Sequence, residues 1–176
     1  MTMAGVKLGQ RLLAVGTRDP KLIAQLAAKV GLTGRACIVD ADESDLAKAV
    51  AAVEQEGALV EASRAPYGMW PFDADSFDVA VIPDLLPSLT PDVRVRCVSE
   101  VLRVLRPGGR ALVVERAQRG GLVGALLGGT RTATAYEGPV EALRANGFAA
   151  VRQLSETDAV TYVEGVKRGV NVTEPA

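Results

Sequence analysis

Histidine is absent from the 176-residue chain, and both cysteine and aromatic residues are scarce. Without histidine, catalysis by an imidazole base and metal ligation by histidine are excluded. The two cysteines, Cys37 and Cys97, lie in apolar runs and form no CxxC motif. We therefore predict neither a disulfide framework nor a metal site. Because only 4% of the residues are aromatic, the core must be built from aliphatic side chains.

An excess of charge of one sign is also missing, since 20 Lys and Arg balance 21 Asp and Glu. No basic cluster with interleaved aromatic residues is present, which argues against direct nucleic-acid binding. No apolar run reaches the roughly 18 residues that a membrane span requires. The first ten residues lack the apolar core of a signal peptide. These absences predict a cytoplasmic protein that binds neither nucleic acid nor a membrane.

Short apolar runs alternate with segments of helical periodicity through most of the chain. The runs predict strands at residues 11–15, 35–40, 58–62, 77–82 and 110–116. Helices are predicted at residues 22–30, 44–57 and 91–105, with N-caps at Asp19, Ser44 and Thr90. The tetrapeptide RPGG at residues 106–109 is predicted to end the third helix. Such alternation is typical of a parallel sheet with helices on both faces.

The C-terminal part of the chain departs from this alternation. A helix at residues 139–147 is followed by strands at residues 149–154 and 160–167, joined by the turn SETDA. We therefore predict an α/β fold with a mostly parallel seven-stranded sheet that ends in an antiparallel hairpin. The whole chain, 1–176, is predicted to be one domain. Residues 1–10 and 169–176 are its tails, and residues 117–138 form a glycine-rich loop or short helix.

Two longer stretches, with the terminal hairpin, resemble one known family. WPFDADSFDVAVIPDLL (residues 70–86) and VSEVLRVLRPGGRALVVE (residues 98–115) are similar to signatures of class I S-adenosylmethionine-dependent methyltransferases, in particular the small-molecule, UbiE-like group. The resemblance covers about residues 11–168. It implies a Rossmann-like methyltransferase fold, S-adenosylmethionine as cofactor and a small-molecule substrate. These stretches are mainly structural, and fold alone does not establish function.

The family's glycine-rich loop after strand one is degenerate in this chain. Its pattern is approximately an acid, a hydrophobic residue and three alternating glycines, whereas the matching stretch here reads AVGTRDP, residues 14–20. The resemblance places Gly16 and Thr17 beside the methionine end of the cofactor. Arg18 adds a large side chain to the turn, and Asp19 is placed to cap the next helix. The sequence therefore predicts that cofactor binding is weakened or lost.

The resemblance assigns further cofactor contacts to the ends of three other strands. It places Asp40, with Ala41, against the ribose hydroxyls, Glu61 and Ala62 against the adenine, and Asp84 against the methionine amino group or the substrate. From the residues alone, Asp40 is equally compatible with a solvent-facing loop acid, and Asp84 with an acid that caps a turn. No residue is assigned a catalytic role.

Three functions remain open from the sequence. The first is an active small-molecule methyltransferase, and the second is a non-catalytic methyltransferase-like partner or regulatory subunit. The third and weakest is a nicotinamide-dependent oxidoreductase. Only ten residues precede the first strand, so we expect an open cleft that a second copy or a protein partner covers. The glycine-rich segment at residues 119–129 is either a surface loop or a close-packing contact.

Overall fold

The structure is a computed structural model that describes residues 5–116, 136–157 and 160–169. Its strands are β1 Arg11–Val15, β2 Arg35–Asp40, β3 Glu61–Arg64, β4 Phe77–Pro83, β5 Leu105–Arg116, β6 Ala149–Thr157 and β7 Val160–Val166. Its α-helices are α1 Pro20–Val30, α2 Glu43–Gln55, α3 Pro91–Val104 and α4 Pro139–Ala145, and a short 3-10 helix covers Leu86–Ser88.

All seven strands form one sheet in the order β3-β2-β1-β4-β5-β7-β6. The first five strands are parallel to one another, and β7 pairs antiparallel with both β5 and β6. This arrangement confirms the predicted mostly parallel seven-stranded sheet with a C-terminal antiparallel hairpin. The order reverses between β1 and β4, because β2 and β3 lie on one side of β1 and the later strands lie on the other.

The strands β1, β2 and β4 are buried on both faces, as their continuous apolar runs predict. In β1, Leu12 and Ala14 pack in the cluster that contains the buried residues of α1 and α2. The alternate residues Leu13 and Val15 pack in the other cluster, with the buried residues of α3 and α4. Helices therefore cover both faces, and the two-residue period of a strand sends its neighbouring side chains into different cores.

Helix starts follow the capping rules, with one correction. Oδ1 of Asp19 accepts a hydrogen bond from the amide of Leu22 at 3.0 Å, which confirms Asp19 as the cap of α1. The prediction of Ser44 as the cap of α2 is wrong, because Asp42 takes that position and accepts from the amide of Asp45 at 3.0 Å. Several Asp and Ser residues stand side by side here, so the sequence alone could not decide between them.

The RPGG segment belongs to strand β5 rather than to a turn that follows the helix. Helix α3 ends at Val104, and Leu105 already pairs with Phe77 of β4. The pairing then shifts, so that Arg110 lies opposite Val79. Gly109 allows this bulge, because a Cβ atom there would lie 2.8 Å from the carbonyl oxygen of Arg106.

Strand β3 also lies later than predicted. The prediction placed it at residues 58–62, whereas the structure has it at Glu61–Arg64. Most of its residues are exposed, so no buried apolar pattern marks its position. The predicted turn SETDA is too long, because its first three residues belong to β6, which runs to Thr157. The glycine-rich segment at 119–129, the last two residues of SETDA and the C-terminal residues 170–176 lie outside the described residues.

Candidate functional site

The carboxyl ends of the five parallel strands meet at one edge of the sheet, here called the carboxyl edge. In open α/β sheets, ligands bind at this edge, beside the point where the strand order reverses. In this chain that point lies between β1 and β4. The residues that end or directly follow β1, β2 and β4 are therefore the ones placed to form a site, and they include Gly16, Asp40 and Asp84.

The turn after β1 is tight and is packed against an apolar side chain. Gly16 has a φ of +79°, and its amide donates to the carbonyl of Val39 at 2.8 Å. A Cβ atom on Gly16 would lie 3.1 Å from Cδ2 of Leu85, which is buried. Arg18, in contrast, is exposed. The side chain that approaches the backbone of Gly16 is therefore Leu85 of the β4 loop, rather than the arginine that the sequence suggested.

One arginine connects the ends of β1, β4 and β5. The guanidinium of Arg116 forms ion pairs with Asp19, through Nη2, and with Asp84, through Nη1 at 2.8 Å. The amide of Arg116 also donates to Oδ1 of Asp84 at 2.6 Å. We call these three residues the Arg116 bridge. Asp84 lies at the predicted place after β4, where it has a φ of +49°, and both its oxygens already accept hydrogen bonds.

The acid at the end of β2 is buried and accepts three hydrogen bonds from its own chain. Oδ2 of Asp40 accepts from the hydroxyl of Thr17 at 2.7 Å, and Oδ1 accepts from the hydroxyl of Tyr67 at 2.8 Å and from the amide of Asp42 at 2.9 Å. Asp40 is only 6% exposed, so its interpretation as a solvent-facing loop acid is wrong. Burial and the bond to Asp40 raise the pKa of Tyr67. We call these four residues the Asp40 cluster.

The structure brings Thr17 to Asp40 but separates Glu61 and Ala62 from it. Strand β3 begins at Glu61, so the prediction that this pair ends strand three is wrong. Glu61 pairs with Cys37 in the register, whereas Arg64 pairs with Asp40, three residues or about 10 Å further along the sheet.

The side chain of Glu61 forms a two-pronged ion pair with Arg35, which starts β2. The residues that do reach the carboxyl edge here are Arg64, whose Nε donates to the carbonyl of Ala41 at 3.4 Å, and Ala65, whose amide donates to the carbonyl of Asp40 at 3.0 Å.

Sequence reasoning gave no role to a second polar group at this edge. Tyr136 donates its hydroxyl hydrogen bond to Glu115, the penultimate residue of β5. The guanidinium of Arg94 lies 4.4 Å from the centre of the Tyr136 ring. Burial raises the pKa of Glu115 and that of Tyr136. The only signal in the sequence was an acid at the end of a buried strand, which does not identify its partner.

Other kinds of site find no support in the described part of the chain. Its Cys, Asp and Glu side chains form no group of three or more that could hold a metal ion. Cys37 and Cys97 are buried free thiols, and burial raises their pKa to about 11 and about 12. None of the described helices is long and apolar enough to cross a bilayer.

Comparison with known proteins agrees with this geometry. A family model described as a methyltransferase domain matches residues 12–109, more than half of the chain. The ubiquinone/menaquinone biosynthesis C-methyltransferase UbiE of Idiomarina loihiensis is 30% identical over 114 residues, which are 64% of this chain and 45% of the relative. The chain therefore matches about half the length of that relative.

Solved structures share the fold at low sequence identity. A SAM-dependent methyltransferase from Aquifex aeolicus superposes with a TM-score of 0.70 at 19% identity, over 93% of this chain and 85% of the other. The cyclase SpnF superposes with a TM-score of 0.67 at 20% identity, over 95% and 77% of the two chains. The sheet order, the site position and the family match agree, and the chain belongs to the class I S-adenosylmethionine-dependent methyltransferase family.

Proposed function

We propose that this chain is a methyltransferase-like protein of the small-molecule group in which the affinity for S-adenosylmethionine is weakened or lost. The observation that carries the proposal is the Asp40 cluster, in which the acid at the end of β2 already accepts three hydrogen bonds from its own chain. The family membership supports the fold and the cofactor class. The hydrogen bonds within the chain support the loss of affinity.

The ribose subsite is the first place where the cofactor does not fit. An acid in this position binds a nucleoside by accepting hydrogen bonds from both ribose hydroxyls. In this chain Asp40 already accepts three hydrogen bonds, from the hydroxyl of Thr17 on Oδ2 and from the hydroxyl of Tyr67 and the amide of Asp42 on Oδ1. Three of the roughly four acceptor positions of its carboxylate are therefore occupied by the chain itself. Two ribose hydroxyls need two acceptor positions, so at least one of them would replace a bond that exists already and gain little net free energy. The buried hydroxyl of Thr17 would also need a new partner.

The methionine subsite is the second place. Backbone amides at a helix N-terminus would bind an anionic carboxylate. Here Asp19 caps the amide of Leu22, and Pro20 supplies no amide hydrogen. The Arg116 bridge occupies the carboxylates of Asp19 and Asp84, and Leu85 packs on Gly16. We therefore assign no catalytic step to the chain in this conformation.

Calorimetry with S-adenosylmethionine and S-adenosylhomocysteine tests the proposal. We expect no saturable heat with the wild type through the micromolar range. The Tyr67→Phe, Arg116→Ala double variant removes one donor from Asp40 and opens the Arg116 bridge, so it should bind more tightly than the wild type. Tyr162→Phe, which removes a hydroxyl from β7, is the matched control and should behave as the wild type does. Micromolar binding by the wild type that is lost in Asp40→Ala would contradict the proposal.

A second candidate function is a non-catalytic partner or regulatory subunit. The Asp40 cluster and the Arg116 bridge favour it, because they occupy the carboxyl edge. A chain that does not bind the cofactor can still offer a surface to a partner protein. A chain in the structure of a complex between the Haloferax volcanii Trm112 methyltransferase activator and a methyltransferase shares the fold, with a TM-score of 0.66 at 16% identity.

The test of this second function is co-purification of the tagged full-length chain, followed by cofactor titration of any complex. Methyl transfer by the chain alone would exclude this candidate. The nicotinamide-dependent alternative lacks such support, since the family match points to methyltransferases.

A further inference from the structure

A groove of about 460 Å³ lies at the opposite edge of the sheet from Asp40. It is bounded by the C-terminal end of α1, the start of β2 and the segment between α2 and β3. Its lining is dominated by small residues, among them Ala27, Gly31, Gly34, Ala36 and Ala58. Because these residues are small, they leave a depression between the three elements. We call this depression, with its rim, the Leu59 groove.

The rim of the Leu59 groove carries unusually exposed leucines. Leu32 is 84% exposed and Leu59 is 75% exposed, and both line the groove. Leu8, at 73% exposure, lies against the same rim, since a Cβ atom on Gly31 would be 2.6 Å from its Cδ1. Three of the five large apolar side chains exposed in the described residues are therefore gathered at one place. A concentrated exposed apolar patch marks an interaction surface.

The charges on the rim are of both signs. Arg35 and Glu61 lie at one side of the groove, where Nε and Nη2 of the arginine donate to the two carboxylate oxygens at 2.9 and 2.6 Å. Both side chains are about half exposed, so each can reach a second partner. A patch with one positive and one negative group side by side is complementary to its own copy under a two-fold axis. A partner of one charge sign would not be favoured here.

We propose that the Leu59 groove binds a second copy of this chain in a symmetric dimer. Each copy offers both parts of the contact: a leucine that stands out and a groove lined by small residues that receives one. Across the two-fold axis, Arg35 of one copy faces Glu61 of the other. The net charge of −1 causes little repulsion between copies. The groove is at the edge away from the Asp40 cluster, so this inference does not depend on cofactor binding.

Sedimentation of the full chain over a range of micromolar concentrations gives the first test. We expect a monomer–dimer equilibrium in the wild type. Leu59→Glu should weaken dimerisation by at least about 30-fold, the size of an interface hot spot. Met69→Glu is the matched control, because Met69 is also 75% exposed but lies away from the groove, and it should leave the equilibrium unchanged. Circular dichroism checks that both variants are folded.

A charge exchange gives the second and sharper test. Arg35→Glu alone and Glu61→Arg alone each place like charges across the two-fold axis, and both variants should be monomeric. An equimolar mixture of the two should form a heterodimer, because each interchain contact then joins opposite charges, although the pair within each chain stays broken. A wild-type chain that is monomeric throughout the range would overturn the proposal. So would a dimer that survives Leu59→Glu, or a mixture that stays monomeric.

Discussion

Replacement of Asp40 by alanine separates a structural acid from a ligand-binding one. In the structure this carboxylate is 6% exposed and accepts hydrogen bonds from Thr17, Tyr67 and the amide of Asp42. Asp40→Ala removes the acceptor from all three donors at once. If the acid instead faced an open cleft, its loss would change ligand binding and leave the free energy of unfolding within about 0.5 kcal/mol of the wild type.

The loss of stability in Asp40→Ala depends on whether each of the three donors can form a hydrogen bond to water instead. A hydrogen bond to a charged group contributes about 1.5–3 kcal/mol net. Thr17 is 5% exposed and loses its bond without replacement, whereas Tyr67 and the amide of Asp42 are partly accessible and regain part of theirs. We therefore expect Asp40→Ala to lower the free energy of unfolding by about 3–4 kcal/mol, less than three full bonds.

Urea unfolding monitored by circular dichroism measures this change. Tyr67→Phe alone should lower the free energy of unfolding by about 1 kcal/mol, because it removes one partly exposed bond. In the Asp40→Ala background the same substitution should have almost no effect, since its acceptor is already gone. Additive effects of the two substitutions, or an Asp40→Ala variant as stable as the wild type, would refute the Asp40 cluster.

Three further predictions concern the backbone and the buried thiols. Gly108→Ala should lower the free energy of unfolding by only about 1 kcal/mol, because alanine is strained at a φ of +77° but meets no neighbouring atom. Gly109→Ala should lower it by about 2–4 kcal/mol, because backbone oxygens lie 2.8 to 3.2 Å from the position of the new Cβ atom. Urea unfolding measures both changes. Asp19→Ala should lower the free energy of unfolding, measured by urea unfolding, by about 1 kcal/mol through the lost helix cap. Burial raises the pKa values of Cys37 and Cys97 to about 11 and about 12, whereas a thiol in the unfolded chain has a pKa of about 8.5. The unfolded chain therefore loses these protons at lower pH than the folded chain. The free energy of unfolding should be highest below about pH 8.5 and should fall as the pH rises toward about 11. Urea unfolding at a series of pH values checks this. The decrease of the free energy of unfolding with pH should become smaller when both thiols are replaced by alanine.

Much of the fold could be predicted because its signals are local. Apolar runs marked the four buried strands of the parallel sheet, and Asp19 marked the start of α1 through a cap three residues from its partner. That the loop around Gly16 is a degenerate form of the family's glycine-rich loop stays a prediction from the residues. The exposed strand β3 was misplaced by about three residues, because its four residues show no buried apolar pattern. That shift moved Glu61 away from the carboxyl edge.

The sequence by itself determined the kind of sheet, the position of its carboxyl edge and the presence of acids there, since periodicity and capping depend on near neighbours. Only the tertiary structure decided what those acids bind. Asp40 meets Tyr67 27 positions later, and Asp19 meets Arg116 97 positions later. Such pairs depend on strand order and register, which act across the whole fold. No local pattern encodes them, so whether the carboxyl edge is open or filled could be seen only once the strands were in place.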